Sequence, residues 1–160
     1  MTTQLHFRER HPSAALEQSL PERLYRVIYA DTDAMGVVYH ARYLEMAERA
    51  RNEALEDAGI QIGRITEENN LSLVVHRVAM EFIAPVHLDD KVILRTGILN
   101  RRSSRVWWRT EVVLNGARHA LVDVATVCFD RKTRLPVAAP GFLEQALNHL
   151  PVFREQGEIR

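Results

Sequence analysis

The segment from Tyr29 to His40 reads YADTDAMGVVYH and gathers the residues best equipped for chemistry. Two carboxylates, Asp31 and Asp33, flank Thr32. Immediately downstream, Tyr43, Ala47, Ala50, Ala54 and Ala58 recur every three or four residues, the period of a helix. The first N–H groups of a helix have no internal partner, and the dipole is positive there. Ser, Thr, Asp or Asn usually caps such an end. Gly36, Val37 and Val38, the residues just before Tyr39, have no side chain able to do so. Those N–H groups can then serve a ligand, such as a carbonyl gaining negative charge. Asp33, just upstream, is placed to act in the same space as nucleophile or general base. Two other readings stay open. Asp31 or Asp33 can fold back and cap the helix from a distance. His40 can be a ligand, a base or an ordinary first-turn residue. A metal site on the Asp-Thr-Asp triplet lacks a third ligand nearby.

A second constellation is Arg101-Arg102-Ser103-Ser104-Arg105, at a turn between two strand-like runs. Guanidinium groups hold phosphates through paired hydrogen bonds, although such a turn can also be merely solvated. Arg134, in a later loop, is a weaker candidate for the same role. Among the 21 Lys plus Arg only Lys91 and Lys132 are lysines, which keeps a small anionic ligand in view. His76, His87, His119 and His149 are scattered and suggest no metal site. The lone Cys128 sits in an apolar run and can form neither an intrachain disulfide nor a cysteine zinc site.

These residues need a scaffold, and 160 residues, 46% hydrophobic, make one domain. Residues 24–30 read as a strand and 31–36 as a turn. The helix follows for about 20 residues to Gly59, a C′ stop. Its apolar stripe is mainly alanine, which lets a sheet approach closely. Four strands come next, at 72–84, 91–100, 105–114 and 118–129, expected to join as a meander. Asn115-Gly116 is the hairpin signal between the last two. Residues 141–149 suggest a short final helix. We therefore expect an α+β domain over 21–150, one helix against five antiparallel strands. A loose extension would occupy 1–20, with a helical turn around 14–18, and a tail 151–160. On 105–114, Val106, Trp108, Thr110 and Val112 alternate with Trp107, Arg109, Glu111 and Val113. Two apolar faces suggest that the second meets a partner subunit.

Lys plus Arg equals Asp plus Glu at 21 each, which argues against a nucleic-acid binder. No apolar run approaches the ~20 residues of a membrane span, and the polar first ten residues do not form a secretory signal. A cytoplasmic location is the expectation.

Taken together, YADTDAMGVVYHARYLEMAERARNEAL resembles the signature of the hotdog-fold acyl-CoA thioesterases, in particular the YbgC-like and 4-hydroxybenzoyl-CoA thioesterase branch. The likeness includes the D-x-D-x-x-G-x-V-Y-H block, Glu48 to Arg51, and Glu81 to Pro85 with Leu88-Asp89-Asp90 behind it. It extends over about 25–148. It implies a five-stranded antiparallel sheet wrapped around one long central helix, and thioester hydrolysis to free acid and CoA. By resemblance, Asp33 is the catalytic carboxylate and the backbone N–H of His40 meets the thioester carbonyl. Gly36 permits the close approach, and Tyr39 and Tyr43 line the acyl pocket or core. Arg101, Arg102 and Ser103, with Arg134, would bind the CoA phosphates. The likeness implies no cofactor, since coenzyme A is part of the substrate, and a homodimer or homotetramer with its site between subunits. The rivals are a hotdog dehydratase or hydratase and a non-catalytic acyl-binding module.

Overall fold

The alanine stripe dictates the architecture. In the computed structural model, which describes residues 20–153, helix α1 (His40–Asp57) buries Tyr43, Met46, Ala47, Ala50, Ala54 and Leu55. A curled sheet packs against this stripe. Its strands are β1 (Glu22–Arg26), β2 (Leu71–Phe82), β3 (Lys91–Arg102), β4 (Arg105–Leu114), β5 (Ala117–Asp130) and the short β6 (Leu135–Pro136). Two further helices, α2 (Ile62–Asn69) and α3 (Gly141–Asn148), complete the described chain. The expected helical turn at 14–18, and most of the extension and tail, lie outside the described residues.

Every strand pairing is antiparallel, in the order β1-β3-β4-β5-β2, with β6 on β5. Only β3, β4 and β5 form the expected meander. β2 lies at the far edge beside β5, and residues 83–90 carry the chain across the end of the sheet to β3. A sheet that wraps a helix must flank it on both sides. On one flank Arg23 of β1 pairs with Glu53 and Asp57, and the Arg49 guanidinium lies 5.9 Å from the Tyr25 ring centroid. β2, after α2, forms the opposite edge.

Two local expectations are also corrected. Strand β1 stops at Arg26 rather than Ala30, because the Asp31 carboxylate captures the Ile28 N–H (2.9 Å) and bends residues Tyr29–Asp31 into a 3-10 turn. Helix α2 occupies a stretch assigned to no element. It buries Ile65, carries the Arg64–Glu68 pair four residues apart, and ends on Asn70 in the left-handed region (φ 54°). The β4–β5 hairpin turns on Asn115 (φ 50°) and Gly116 (φ 78°), as a two-residue loop requires.

Side chains between α1 and the sheet fall into two groups. Val27, Tyr43, Ala47, Leu94 and Val122 surround the first half of the helix. Leu55, Ile98, Trp108, Leu143 and Leu147 surround the second. Two buried polar pairs join neighbouring strands: Trp108 Nε1 donates to Thr126 Oγ1 (3.0 Å), and the Thr96 and Thr110 hydroxyls meet at 2.8 Å. The outer sheet face is more polar than the alternation on β4 suggested. Arg109 forms a two-pronged bond with Asp123 (2.8 Å each), and Glu111 and Glu22 pair with Arg118 and Arg95. Exposed apolar side chains fall mainly in two stretches, Val74, Val75, Phe82 and Ile83 on and beside β2, and Leu24, Ile28, Tyr29 and Met35 on β1 and between it and α1.

Candidate active site

Residues 31–38 form a small hairpin between β1 and α1. Thr32 bridges Val38, the Asp33 N–H donates to the Val37 carbonyl (2.9 Å), and the Gly36 N–H returns to the Asp33 carbonyl (3.0 Å). Gly36 takes φ 75°, a conformation that glycine adopts without strain. The hairpin rests on the segment before β3. Val38 N–H donates to the Val86 carbonyl (2.8 Å), Val37 bridges His87, and Leu88 N–H reaches the Gly36 carbonyl (3.3 Å).

The two carboxylates have separate jobs. Asp31 is 5% exposed. The Tyr25 hydroxyl lies 3.1 and 3.0 Å from its two oxygens, and the Ile28 N–H donates to Oδ2. Asp33 stands at the hairpin tip, exposed to solvent. Its Oδ1 accepts the Met35 N–H (2.8 Å), an Asx turn, and among the described residues its Oδ2 has no partner. Neither side chain caps α1. The helix begins at an N-cap, Tyr39, that makes no side-chain hydrogen bond. Tyr39 N–H donates to the Asp31 carbonyl (2.9 Å). Among the described residues nothing accepts the N–H groups of His40 and Ala41. The Tyr39 and His40 rings are exposed and lie 4.2 Å apart at the helix mouth. Tyr43 is buried and meets Phe82 edge-on at 5.4 Å, so it belongs to the wall between α1 and β2.

The arginine candidates gather at the other end of the sheet. Arg101 and Arg102 close β3, and Ser103 and Ser104 form the turn into β4. The Ser103 and Ser104 carbonyls accept the N–H groups of Ala139 and Cys128. Arg101 hydrogen-bonds Asn148 Oδ1. Arg134 sits in the β5–β6 turn at the same end, in the left-handed region (φ 58°). Arg131 and Lys132 share that turn and were missed in the sequence. Their signal was the RKTR run beside the Asp130 carboxylate, which accepts the Lys132 and Thr133 N–H groups (2.7 and 2.8 Å).

β3 begins beside the Asp33 hairpin and ends at these arginines. Its eleven steps span about 36 Å, so one chain keeps the carboxylate and the arginines apart. Neither the small hollow at Trp107 and Leu99 nor the groove at Glu56, Arg64 and Glu68 touches the Asp33 hairpin. Among the described residues no group of three His, Cys, Asp or Glu could hold a metal ion, and no helix is long and apolar enough to cross a membrane.

An exposed carboxylate on the hairpin that leads into a helix with unused N–H groups is a pairing suited to attack on a carbonyl. Comparison with known proteins agrees with that chemistry, since the model of the thioesterase-like superfamily matches residues 27–147. The chain belongs to this superfamily. It is 34% identical over 132 residues to the acyl-CoA thioesterase YbgC of Haemophilus influenzae, covering 82% of this chain and 95% of that one. It is 36% identical over 117 residues to the acyl-CoA thioester hydrolase YbgC of Escherichia coli O6:H1, covering 72% and 86%. Among solved structures, a 1,4-dihydroxy-2-naphthoyl-CoA thioesterase from Synechocystis superposes with a TM-score of 0.76 at 22% identity, over 82% of this chain and 97% of that one. The protein TT1821 of Thermus thermophilus superposes with a TM-score of 0.74 at 28% identity, over 82% and 98%. The fold is the hotdog fold, a curled antiparallel sheet around a long helix.

Proposed function

We propose that this protein hydrolyses the thioester bond of an acyl-CoA, giving the free acid and CoA. The observation that carries the reading is the division of labour between the two aspartates. Asp31 is consumed by structure, whereas Asp33 keeps one carboxylate oxygen exposed and, among the described residues, unpartnered on the hairpin that leads into an uncapped helix. The similarity to YbgC acyl-CoA thioesterases supports the same reaction.

In this mechanism the thioester carbonyl oxygen sits at the start of α1. The His40 and Ala41 N–H groups and the helix dipole stabilise the negative charge that grows there. Asp33 acts in one of two ways. As nucleophile it attacks the carbonyl carbon and expels the CoA thiolate, and water then cleaves the mixed anhydride. As general base it takes a proton from water, which attacks directly. In both routes water supplies the new acid oxygen of the overall reaction and CoA leaves as the thiol. Tyr39, at the mouth, and Tyr43 with Phe82, in the wall, would border the acyl group. Arg101, Arg102, Ser103 and Arg134, with Arg131 and Lys132, would take the CoA phosphates.

The separation along β3 exceeds the reach of a pantetheine arm. The arginines serving one Asp33 would therefore come from a second copy, which favours a homodimer or a larger assembly such as a tetramer. A thiol-release assay over a panel of acyl-CoA esters tests the activity. Release of thiol that Asp33→Asn abolishes is the expected result. A folded protein that binds acyl-CoA without releasing thiol would instead be a binding module. Addition of water to an enoyl thioester would make it a hydratase.

A further inference from the structure

The Asp31 carboxylate is nearly inaccessible, yet it joins three elements that the proposed reaction requires in register. Tyr25 reaches it from β1 and the Ile28 N–H from the 3-10 turn. Through its own carbonyl, Asp31 accepts the N–H of Tyr39, the residue that opens α1. Two residues further on is Asp33, whose N–H is fixed on Val37. The angle between the Asp33 tip and the helix mouth is therefore set where Asp31 sits. Arg49 of α1 lies over the Tyr25 ring, so the helix also holds the residue that holds Asp31. Burial, with the hydrogen bond to Asp31 and its charge, pushes the Tyr25 phenol above its ordinary range. Tyr25 thus remains a hydroxyl donor throughout the neutral range.

We propose that Asp31, clamped by Tyr25, is a positioning residue that aligns Asp33 with the uncapped N-terminus of α1. The proposal rests on the assignment of Asp33 and the helix end as the reacting groups. Neither Asp31 nor Tyr25 touches substrate in this scheme. Tyr25→Phe removes the hydroxyl donor and leaves the ring under Arg49. Asp31→Asn preserves shape and removes the charge and one acceptor. A displacement of about 1 Å in a reacting group can cost ~100-fold in rate. Loss of alignment should therefore lower kcat, by about 10-fold or more for Tyr25→Phe, while KM for acyl-CoA stays within about threefold.

The experiment measures kcat, KM and the thermal midpoint for Tyr25→Phe, Asp31→Asn, the double variant and Arg23→Gln. Arg23 ties β1 to Glu53 and Asp57 near the far end of α1. Arg23→Gln should lower the midpoint and leave kcat unchanged. If Tyr25 acts only through Asp31, the double variant loses no more kcat than Asp31→Asn alone. Should Asp31→Asn not fold, Tyr25→Phe and Arg23→Gln still decide the matter. Wild-type kcat in folded Tyr25→Phe would overturn the proposal, as would equal falls in kcat for Tyr25→Phe and Arg23→Gln at matched stability. Asp33→Asn, run alongside, separates the two layers. Full activity in that variant refutes the reading of the reacting carboxylate, whereas loss there with an unaffected Tyr25→Phe refutes only the clamp.

Discussion

At the residue scale, the Asp-Thr-Asp triplet contains two carboxylates of one type with opposite environments. Asp33→Asn is close to isosteric, and its amide can still accept the Met35 N–H that forms the turn. It removes both the nucleophile and the base, so turnover should fall by about 100-fold or more with the unfolding midpoint unchanged. Circular dichroism melts beside the thiol assay check this, and near-normal turnover in the folded variant would sink the assignment. The buried Tyr43 phenol and the half-buried Tyr25 phenol give a second prediction. Burial raises the pKa of Tyr25 and of Tyr43 above 10.0, and Asp31 adds to the shift at Tyr25. The folded chain keeps these protons where the unfolded chain has released them, so stability should fall as pH rises beyond about 10. Tyr25→Phe removes one such group, and its urea midpoint should decline less steeply with alkaline pH than that of the wild type. An identical slope would contradict the raised pKa of Tyr25 in the folded chain.

At the scale of elements, the helix, β4 and the Asn115-Gly116 turn were legible because each follows a local rule. The alanine period gives α1, the residue alternation gives β4, and a dipeptide suited to positive φ gives the hairpin. The place of β2 was not legible, since pairing with β5 rather than β3 arises from wrapping a helix and leaves no local mark. The split between Asp31 and Asp33 was hidden for a similar reason. It depends on Tyr25, six residues upstream, and on where β1 bends. Gly97 is another long-range feature. A Cβ there would lie 2.6 Å from Leu20 Cδ2 and 2.8 Å from the Pro151 carbonyl oxygen. The segment around Val152 bridges β3 at Ile98, fixing that carbonyl in place. Leu20 can swing aside but the backbone cannot, so Gly97→Ala should cost about 1–3 kcal/mol, read as a lower urea midpoint. The arginine turn allows a functional test at the same scale. Arg101→Ala with Arg102→Ala should raise KM for acyl-CoA more than it lowers kcat, because phosphate contacts far from the reacting carbon act alike in ground and transition states. A pantetheine thioester, which lacks the nucleotide, should show little defect. An equal defect on both substrates would place these residues in the fold rather than in phosphate binding.

At the scale of the whole molecule, what the isolated chain leaves unfinished lies mainly along β2. Among the described residues this edge strand pairs only with β5, and Val74 and Val75 face solvent where its register shifts between Val75 and Arg77. An exposed strand edge with apolar side chains invites pairing with another chain. Arg51, on the flank of α1 away from β1, is 6% exposed, with no ion-pair partner among the described residues. Burial lowers its pKa, and only the charge of Glu48 opposes that shift. A buried cation left this way is costly, and an acceptor brought by a second subunit would relieve it. The separation of Asp33 from the arginine turn along β3 points in the same direction. Each complete site should combine Asp33 from one copy with Arg101 and Arg102 from another. Two defective proteins, Asp33→Asn and the doubly substituted Arg101→Ala, Arg102→Ala, then carry complementary lesions. Mixed and allowed to exchange subunits, they should form assemblies holding one intact pair of half-sites. At acyl-CoA concentrations well below the KM of the arginine variant, activity should rise above that of either parent, toward about a quarter of the wild-type rate per site, the value expected when subunits assort at random into closed symmetric dimers. The rise should follow the time course of exchange and disappear if the proteins are crosslinked before mixing. A fully active monomer in sedimentation at assay concentration would refute the shared site, because its Asp33 would be working without arginines from another chain.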